Sequence, residues 1–136
     1  MLPTIETRAF PVVRITYPAL LTDRDVDGYV EALGEVLRRG RIGTVVDIRA
    51  LDPKAVGAAE RQYLAAAIDR MTAEHPNRLV AEAIVMNSAL LRGLYTAYCW
   101  VRRDASYPSR AFRDVAAAES WVRGQLRADG LLSDPS

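Results

Sequence analysis

Two carboxylates near the end of an apolar run are the residues of this sequence best placed for acid–base chemistry. Asp47 lies within the run IGTVVDI at residues 42–48, and Asp52 follows five residues later. If the run is a strand, both lie at the carboxyl edge of a sheet, where α/β proteins bind ligands and paired carboxylates can exchange protons. Alternatively, Asp52 caps the helix that Pro53 begins, and Asp47 bonds loop amides or an arginine. We favour this structural interpretation and assign no catalytic residue.

The side chains that most other catalytic and metal sites require are scarce. The sequence holds one histidine, His75, and one cysteine, Cys99, which cannot supply a zinc site. We interpret His75, beside Pro76, as interacting with the last carbonyls of a helix rather than as part of a nucleophilic triad. No glycine-rich phosphate loop of the Walker or GxGxxG type follows a predicted strand. We therefore predict a protein that is not an enzyme and has no metal and no cofactor.

Composition predicts one globular domain over residues 1–136. Half of the 136 residues are hydrophobic, and 18 basic residues balance 17 acidic ones, so the net charge of +1 gives no reason to expect nucleic-acid binding. The longest charge-free runs have 9 residues, far short of the roughly 20 that a membrane helix needs. The start does not resemble a signal peptide, and the single cysteine fits a reducing compartment. We expect a cytoplasmic protein without a membrane span.

The hydrophobic pattern predicts alternating strands and helices. Extended chain over residues 5–17, interrupted by Pro11, is an edge strand or two short strands with a bend. Three further strands are predicted at residues 42–48, 79–86 and 110–113. Helices are predicted over 23–39 with Thr22 as its cap, from Asp52 to Pro76, over 88–103, and from Asp114 to about Gly130.

This order, β-α-β-α-β-α-β-α, predicts an open, mostly parallel α/β sheet with helices packed on it. The core is expected at about residues 11–127. The last residues, 131–136, are expected to fray.

The predicted helix over residues 88–103 has two different faces. Leu91, Leu94, Tyr95, Tyr98 and Val101 form a core stripe at helical spacing. On the opposite side, the small residues Gly93 and Ala97 share a face with the aromatic residue Trp100, and the basic residue Arg103 follows them. This surface predicts a homodimer interface made of Gly93, Ala97, Trp100 and Arg103, in which Arg92 and Arg103 pair with the acidic helix 23–39 of the second subunit.

Three stretches carry a resemblance to a known family. They are GTVVDIRALD at residues 43–52, AEAIVMNSALLRGLYTAYCW at 81–100 and SRAFRDVAAAESWV at 109–122. In content and order they resemble the STAS domain, and most closely the small stand-alone bacterial relatives of the anti-sigma-factor antagonists. The resemblance implies a non-enzymatic module that binds a partner protein or, in some relatives, a small apolar molecule. Phosphorylation-controlled antagonists carry a serine after the central strand, whereas residues 47–71 contain neither serine nor threonine.

Two functions follow from these observations. The leading hypothesis is a STAS-like regulatory module without a phosphorylatable switch, which binds a protein partner through the exposed residues Arg49, Asp52 and Lys54. The alternative is a carrier or sensor of a small apolar, lipid-like ligand. Its pocket would lie between helices and sheet, and the residues proposed to line it are Tyr63, Tyr95 and Tyr98.

Overall fold

The computed structural model of the protein describes residues 1–102 and 106–133. The strands are β1 (Thr4–Glu6), β2 (Val12–Thr16), β3 (Ile42–Asp47), β4 (Leu79–Val85) and β5 (Ser109–Phe112), and the helices are α1 (Asp23–Arg39), α2 (Ala58–Glu74), α3 (Ala89–Val101) and α4 (Val115–Ala128). A 3-10 turn, Pro53–Ala55, precedes α2. None of the described helices has the length and apolar character needed to cross a bilayer.

The five strands form one open sheet in the order β1-β2-β3-β4-β5. Strand β1 is antiparallel to β2, and every other neighbouring pair is parallel. The predicted extended segment is therefore two short strands, with a turn that contains Pro11 between them. The expected α/β class with a mostly parallel sheet is confirmed, and the order of elements is consistent with a STAS-like fold.

The two faces of the sheet carry separate apolar clusters. On one face α1, α2 and α3 cover the sheet, and Leu37, Ile68 and Leu91 pack with residues of β2, β3 and β4. On the other face α4 packs alone, mainly through Ala118, Val122 and Leu126. Because β3 and β4 are covered on both sides, the apolar runs of these central strands lack the alternation of a half-exposed strand.

Three helices begin where the sequence predicts, and each begins after a residue whose side chain caps its first turn. The Thr22 hydroxyl accepts from the Asp25 amide at 3.1 Å, and the Asp25 carboxylate accepts from the Thr22 amide at 3.0 Å, which completes a capping box for α1. Ser88 caps α3 by accepting from the Leu91 amide, and Asp114 caps α4 by accepting from the Ala117 amide, each through the N-cap side chain alone. These caps satisfy amides that have no partner within the helix.

The start of α2 differs from the prediction. Asp52 caps only the short turn Pro53–Ala55, and α2 begins six residues after Asp52, with Gly57 as its N-cap. The reason is packing, because Leu51 is 7% exposed and Val56 lies against the same core cluster. Only Val56 and Gly57, between the 3-10 turn and α2, are extended.

The start of the predicted C-terminal tail packs against α4. Leu131 and Leu132 are partly buried against the α4 cluster, and the Leu131 amide donates to the Leu126 carbonyl at 2.8 Å. The expectation that residues 131–136 fray stays a prediction, and burial of these two apolar side chains favours order at the start of that segment. The rest of the predicted tail, residues 134–136, lies outside the described residues.

Candidate functional site

Asp47 at the carboxyl end of β3 is held by the loop that follows it. Its carboxylate accepts from the Arg49 amide at 3.0 Å and from the Arg49 guanidinium at 2.9 and 2.7 Å. Partial burial alone would raise the pKa of Asp47, but the hydrogen bonds and charge of Arg49 outweigh it and hold that pKa below its usual range. The carboxylate is thus an ion-pair partner at neutral pH, as the structural interpretation expects.

The predicted partner-binding residues lie together at the carboxyl edge of the sheet. Arg49, Asp52 and Lys54 are all exposed. Asp52 accepts from the Lys54 amide at 3.0 Å and so fixes the shape of the turn. The loop therefore presents a positive, a negative and a positive side chain in a defined local conformation.

The predicted dimer face lies on the outer side of α3. Trp100 is 81% exposed and Leu90 is 62% exposed. Among the described residues, no atom lies within 4 Å of the position that a Cβ of Gly93 would occupy, so this part of the face is open. Ala97 is partly exposed, and Arg103 lies outside the described residues.

The inner stripe of α3 is less deeply buried than its apolar composition suggests. Among its described residues only Leu91 is fully buried, whereas Leu94, Tyr95 and Tyr98 are half-buried. The half-buried side chains lie over a cavity beneath the helix.

That cavity contains two of the three tyrosines that the sequence analysis assigned to a pocket. It has a volume of about 60 Å³ and lies between the sheet and helices α2 and α3, with Tyr95 and Tyr98 in its wall. Tyr63 is not in this lining, since its hydroxyl donates to Asp27 of α1 at 2.6 Å. This hydrogen bond places Tyr63 on the side of α2 that faces α1, and not on the side that faces the cavity.

Glu82 is a residue of this cavity that the sequence analysis missed. It lies in the middle of the sheet, paired in register with Thr44 of β3 and Ser109 of β5. The Ser109 hydroxyl lies 3.1 Å from the Glu82 carboxylate and 2.5 Å from the Tyr95 hydroxyl, so the three groups form a continuous chain. Burial raises the pKa of Glu82, although Arg102 and Ser109 act in the opposite direction.

A second buried charge lies at the carboxyl end of α3. The Arg102 guanidinium bonds Asp69 of α2 at 2.6 Å, and its side chain is 4% exposed. The same guanidinium lies over the rings of Tyr98 and Tyr107, 5.8 and 5.6 Å from their centroids. Burial raises the pKa of Tyr95 to about 12 and also raises that of Tyr98, so these phenols stay protonated at neutral pH.

The sequence did contain a signal for Glu82. A lone glutamate interrupts the run LVAEAIV, two residues before Ile84 on the same face of the strand. A charge at an inward position of a central strand is uncommon unless it is paired or functional. Among the described residues, no three His, Cys, Asp or Glu side chains are grouped closely enough to hold a metal ion.

Comparisons of the chain with models of protein families, with curated proteins and with solved structures find no match. The likeness to STAS domains therefore rests on the three sequence stretches and on the order of elements.

Proposed function

We propose that this protein is a non-enzymatic, STAS-like regulatory module that binds other protein chains and self-associates through the outer face of α3. The observation that carries the proposal is the exposure of Trp100 and Leu90 on one side of that helix. Large apolar side chains that are exposed together mark interaction surfaces, and tryptophan is enriched among the residues that dominate binding energy.

The spacing of the α3 face supports a second copy of this chain as its occupant. Leu90, Gly93, Ala97 and Trp100 fall within about 80° of the helix circumference. The pattern is also palindromic, because Leu90 and Trp100 are equally far from Tyr95, as are Gly93 and Ala97. If two α3 helices cross antiparallel, each small residue faces a small one and each large residue faces a large one. Such self-complementarity is what a two-fold interface requires.

The loop after β3 is proposed as the surface for a different protein partner. Arg49 and Lys54 are exposed there, and the bonds of Asp47 and Asp52 keep the backbone in one shape. Because these two carboxylates are engaged in local contacts, they support a binding role better than a catalytic one. Residues 47–71 have no serine or threonine, so the module is proposed to act through fixed shape and charge.

Light scattering at micromolar concentration tests the self-association. We expect a dimer for the wild type and a monomer for Trp100→Ala, since truncating a central interface tryptophan often costs about 2 kcal/mol or more. Leu20→Ala is the matched control, because Leu20 is 58% exposed on the loop before α1, and it should remain dimeric. A monomeric wild type, or a Trp100→Ala protein that unfolds, contradicts the proposal.

A pull-down with matched arginine variants tests the loop. Arg49→Gln should lose a partner that the wild type and Arg113→Gln both retain. The free energy of unfolding of Arg49→Gln should differ from that of the wild type by no more than about 1 kcal/mol, because only a surface ion pair is removed. Arg113 is likewise exposed but lies between β5 and α4. Equal recovery by both variants would remove the loop from the binding surface.

A further inference from the structure

Strand β5 forms one edge of the sheet. Among the residues that the structure describes, it pairs with β4 alone, and its first two residues, Ser109 and Arg110, are exposed. An edge strand presents amide and carbonyl groups to which a strand of another chain can bind. The backbone and the side chains of β5 indicate which kind of segment would fit there.

The backbone groups of β5 alternate between β4 and the open edge. Amides of β4 and of the residue after it donate to the carbonyls of Pro108 and Phe112, at 2.9 and 3.0 Å. In a parallel ladder the residues that bond one neighbouring strand are two apart, so Arg110 also turns its backbone groups towards β4. The amides and carbonyls of the residues between them, Ser109 and Ala111, therefore point to the open edge.

Aromatic side chains flank this edge on the face of the sheet that α4 covers. Phe112 and Trp121 lie with their ring centroids 5.7 Å apart, and both are only partly buried against the α4 cluster. Cross-strand pairs that involve an aromatic and a β-branched residue stabilise a sheet. An apolar side chain on a neighbouring strand, directly opposite Phe112, would therefore bury more of these two rings.

Arg110 projects on the same face and has no ion-pair partner among residues 1–102 and 106–133. Two carboxylates of the α4 segment are engaged elsewhere. Asp114 caps α4 by accepting from an amide at 2.8 Å, and Glu119 pairs with Arg14 of β2 at 3.3 Å. Opposite charges on neighbouring strands attract, so an acidic side chain opposite Arg110 would complement its charge.

We propose that β5 is a docking edge for an extended segment of a partner protein, which adds a strand and places an apolar side chain opposite Phe112 and an acidic one opposite Arg110. In an antiparallel arrangement these two residues form non-hydrogen-bonded pairs, in which opposing side chains lie closest, while Ser109 and Ala111 exchange backbone hydrogen bonds with the segment. The fitting segment has an apolar residue, any residue and an acidic residue, in that order along its own chain.

This docking edge goes beyond the proposed function. It includes neither the loop after β3 nor the outer face of α3, so its test does not depend on the partner of that loop or on self-association.

NMR titration with the capped peptide Thr-Ser-Ile-Thr-Glu-Thr-Ser-Thr tests the proposal. We expect shifts centred on the amides of Ser109 and Ala111, and slower hydrogen exchange of the Ala111 amide. Methylating the amide nitrogens of the two threonines beside the glutamate removes donors that face β5, which should weaken binding at least about tenfold. Methylating those of the isoleucine and the glutamate is the matched control. These amides face away from β5, so binding should be retained.

A peptide with glutamine in place of glutamate isolates the contact with Arg110. It should bind about two- to fivefold more weakly, the range expected for an exposed ion pair. Arg110→Gln should weaken the glutamate peptide by the same factor and leave the affinity for the glutamine peptide unchanged. Arg8→Gln is the matched control, because Arg8 follows β1 at the opposite edge of the sheet, and it should bind both peptides like the wild type.

Ala111→Pro removes an amide that points away from β4, so β5 should keep its pairing with β4 and lose the peptide. Ala111→Val keeps the amide and should bind like the wild type. If Ala111→Pro does not fold, the two methylated peptides decide the outcome.

The absence of shifts at β5 in the wild type, equal affinity for the two methylated peptides, or unchanged binding by a folded Ala111→Pro protein would each overturn the proposal. A wild-type dimer that Ala111→Pro dissociates would also overturn it, because a second copy of this chain would then occupy the edge.

Discussion

Glu82 shows how one side chain can set the electrostatics of a whole helix–sheet interface. Its carboxylate lies among half-buried tyrosines, and its hydrogen bond to Ser109 links β4 to β5 and, through Tyr95, to α3. Asp47 illustrates the opposite case, because its partner Arg49 is only two residues away and the Asp47 side chain keeps some contact with solvent. Burial therefore disfavours the charged form of Glu82, whereas the contact with Arg49 stabilises the charged form of Asp47.

The raised pKa of Glu82 predicts how stability depends on pH. A raised folded-state pKa means that the folded protein binds this proton more tightly than the unfolded chain, whose glutamate titrates near 4.5. The stabilisation is complete below pH 4.5 and is lost as pH rises through the folded-state pKa. Replacing Glu82 by Gln removes that loss, and Arg102 retains Asp69 as its partner.

Thermal melts of the wild type and Glu82→Gln from pH 4.5 to pH 8 test this dependence of stability on pH. Glu82→Gln should melt about 2–5 °C above the wild type at pH 8, and the difference should shrink towards pH 4.5. Glu119→Gln should not show this pH dependence. A lower melting temperature for Glu82→Gln at pH 8 would mean that the attraction between Glu82 and Arg102 exceeds the cost of burial.

At the scale of elements, the packing of α4 on the sheet depends on one glycine in β3. A Cβ at Gly43 would collide with the Val122 side chain and come within 3.4 Å of Leu126. Because both belong to the core of α4, neither can move away without disturbing that helix. The absence of a side chain in β3 therefore sets how closely α4 approaches.

A pair of glycine substitutions tests this packing. Gly43→Ala should destabilise the protein by about 1–3 kcal/mol, the cost of overpacking a core. Gly124→Ala should be neutral or stabilising by up to about 1 kcal/mol, because Gly124 lies within α4 with open space around it and alanine favours helix. Chemical denaturation of both variants measures the difference. Equal stability would show that α4 shifts to accommodate the methyl group.

The elements that the sequence predicts well are those set by local signals. The capping box at Thr22 joins residues three apart, and β3 and β4 follow from short apolar runs. The start of α2 was placed too early because a tertiary contact, the burial of Val56, overrides the Asp-Pro signal. The chain from Glu82 through Ser109 to Tyr95 was missed because its links span 27 and 14 residues. Such contacts depend on which strands become neighbours, which periodicity does not specify.

At the scale of the whole molecule, the chain covers the apolar residues of α4 more completely than those of α3, a difference that supports the proposed self-association. Helix α4 has the second face of the sheet to itself and buries Ala118, Val122 and Leu126 completely. Helix α3 contacts the sheet from the side opposite α4 and next to α2, yet it leaves Trp100 and Leu90 exposed. In the proposed dimer, the outer face of α3 is therefore the surface that a second subunit covers.

An antiparallel crossing of two α3 helices makes a geometric prediction. Gly93 of one copy should face Ala97 of the partner subunit, close enough for a disulfide, which needs Cα atoms about 4.4–6.8 Å apart. In a Cys99→Ser background, oxidising a mixture of Gly93→Cys and Ala97→Cys proteins should give mainly the mixed dimer. Either variant oxidised alone should cross-link less. A parallel crossing would reverse this pattern, because each residue would then face its own copy, and non-reducing electrophoresis of the three samples distinguishes the two arrangements.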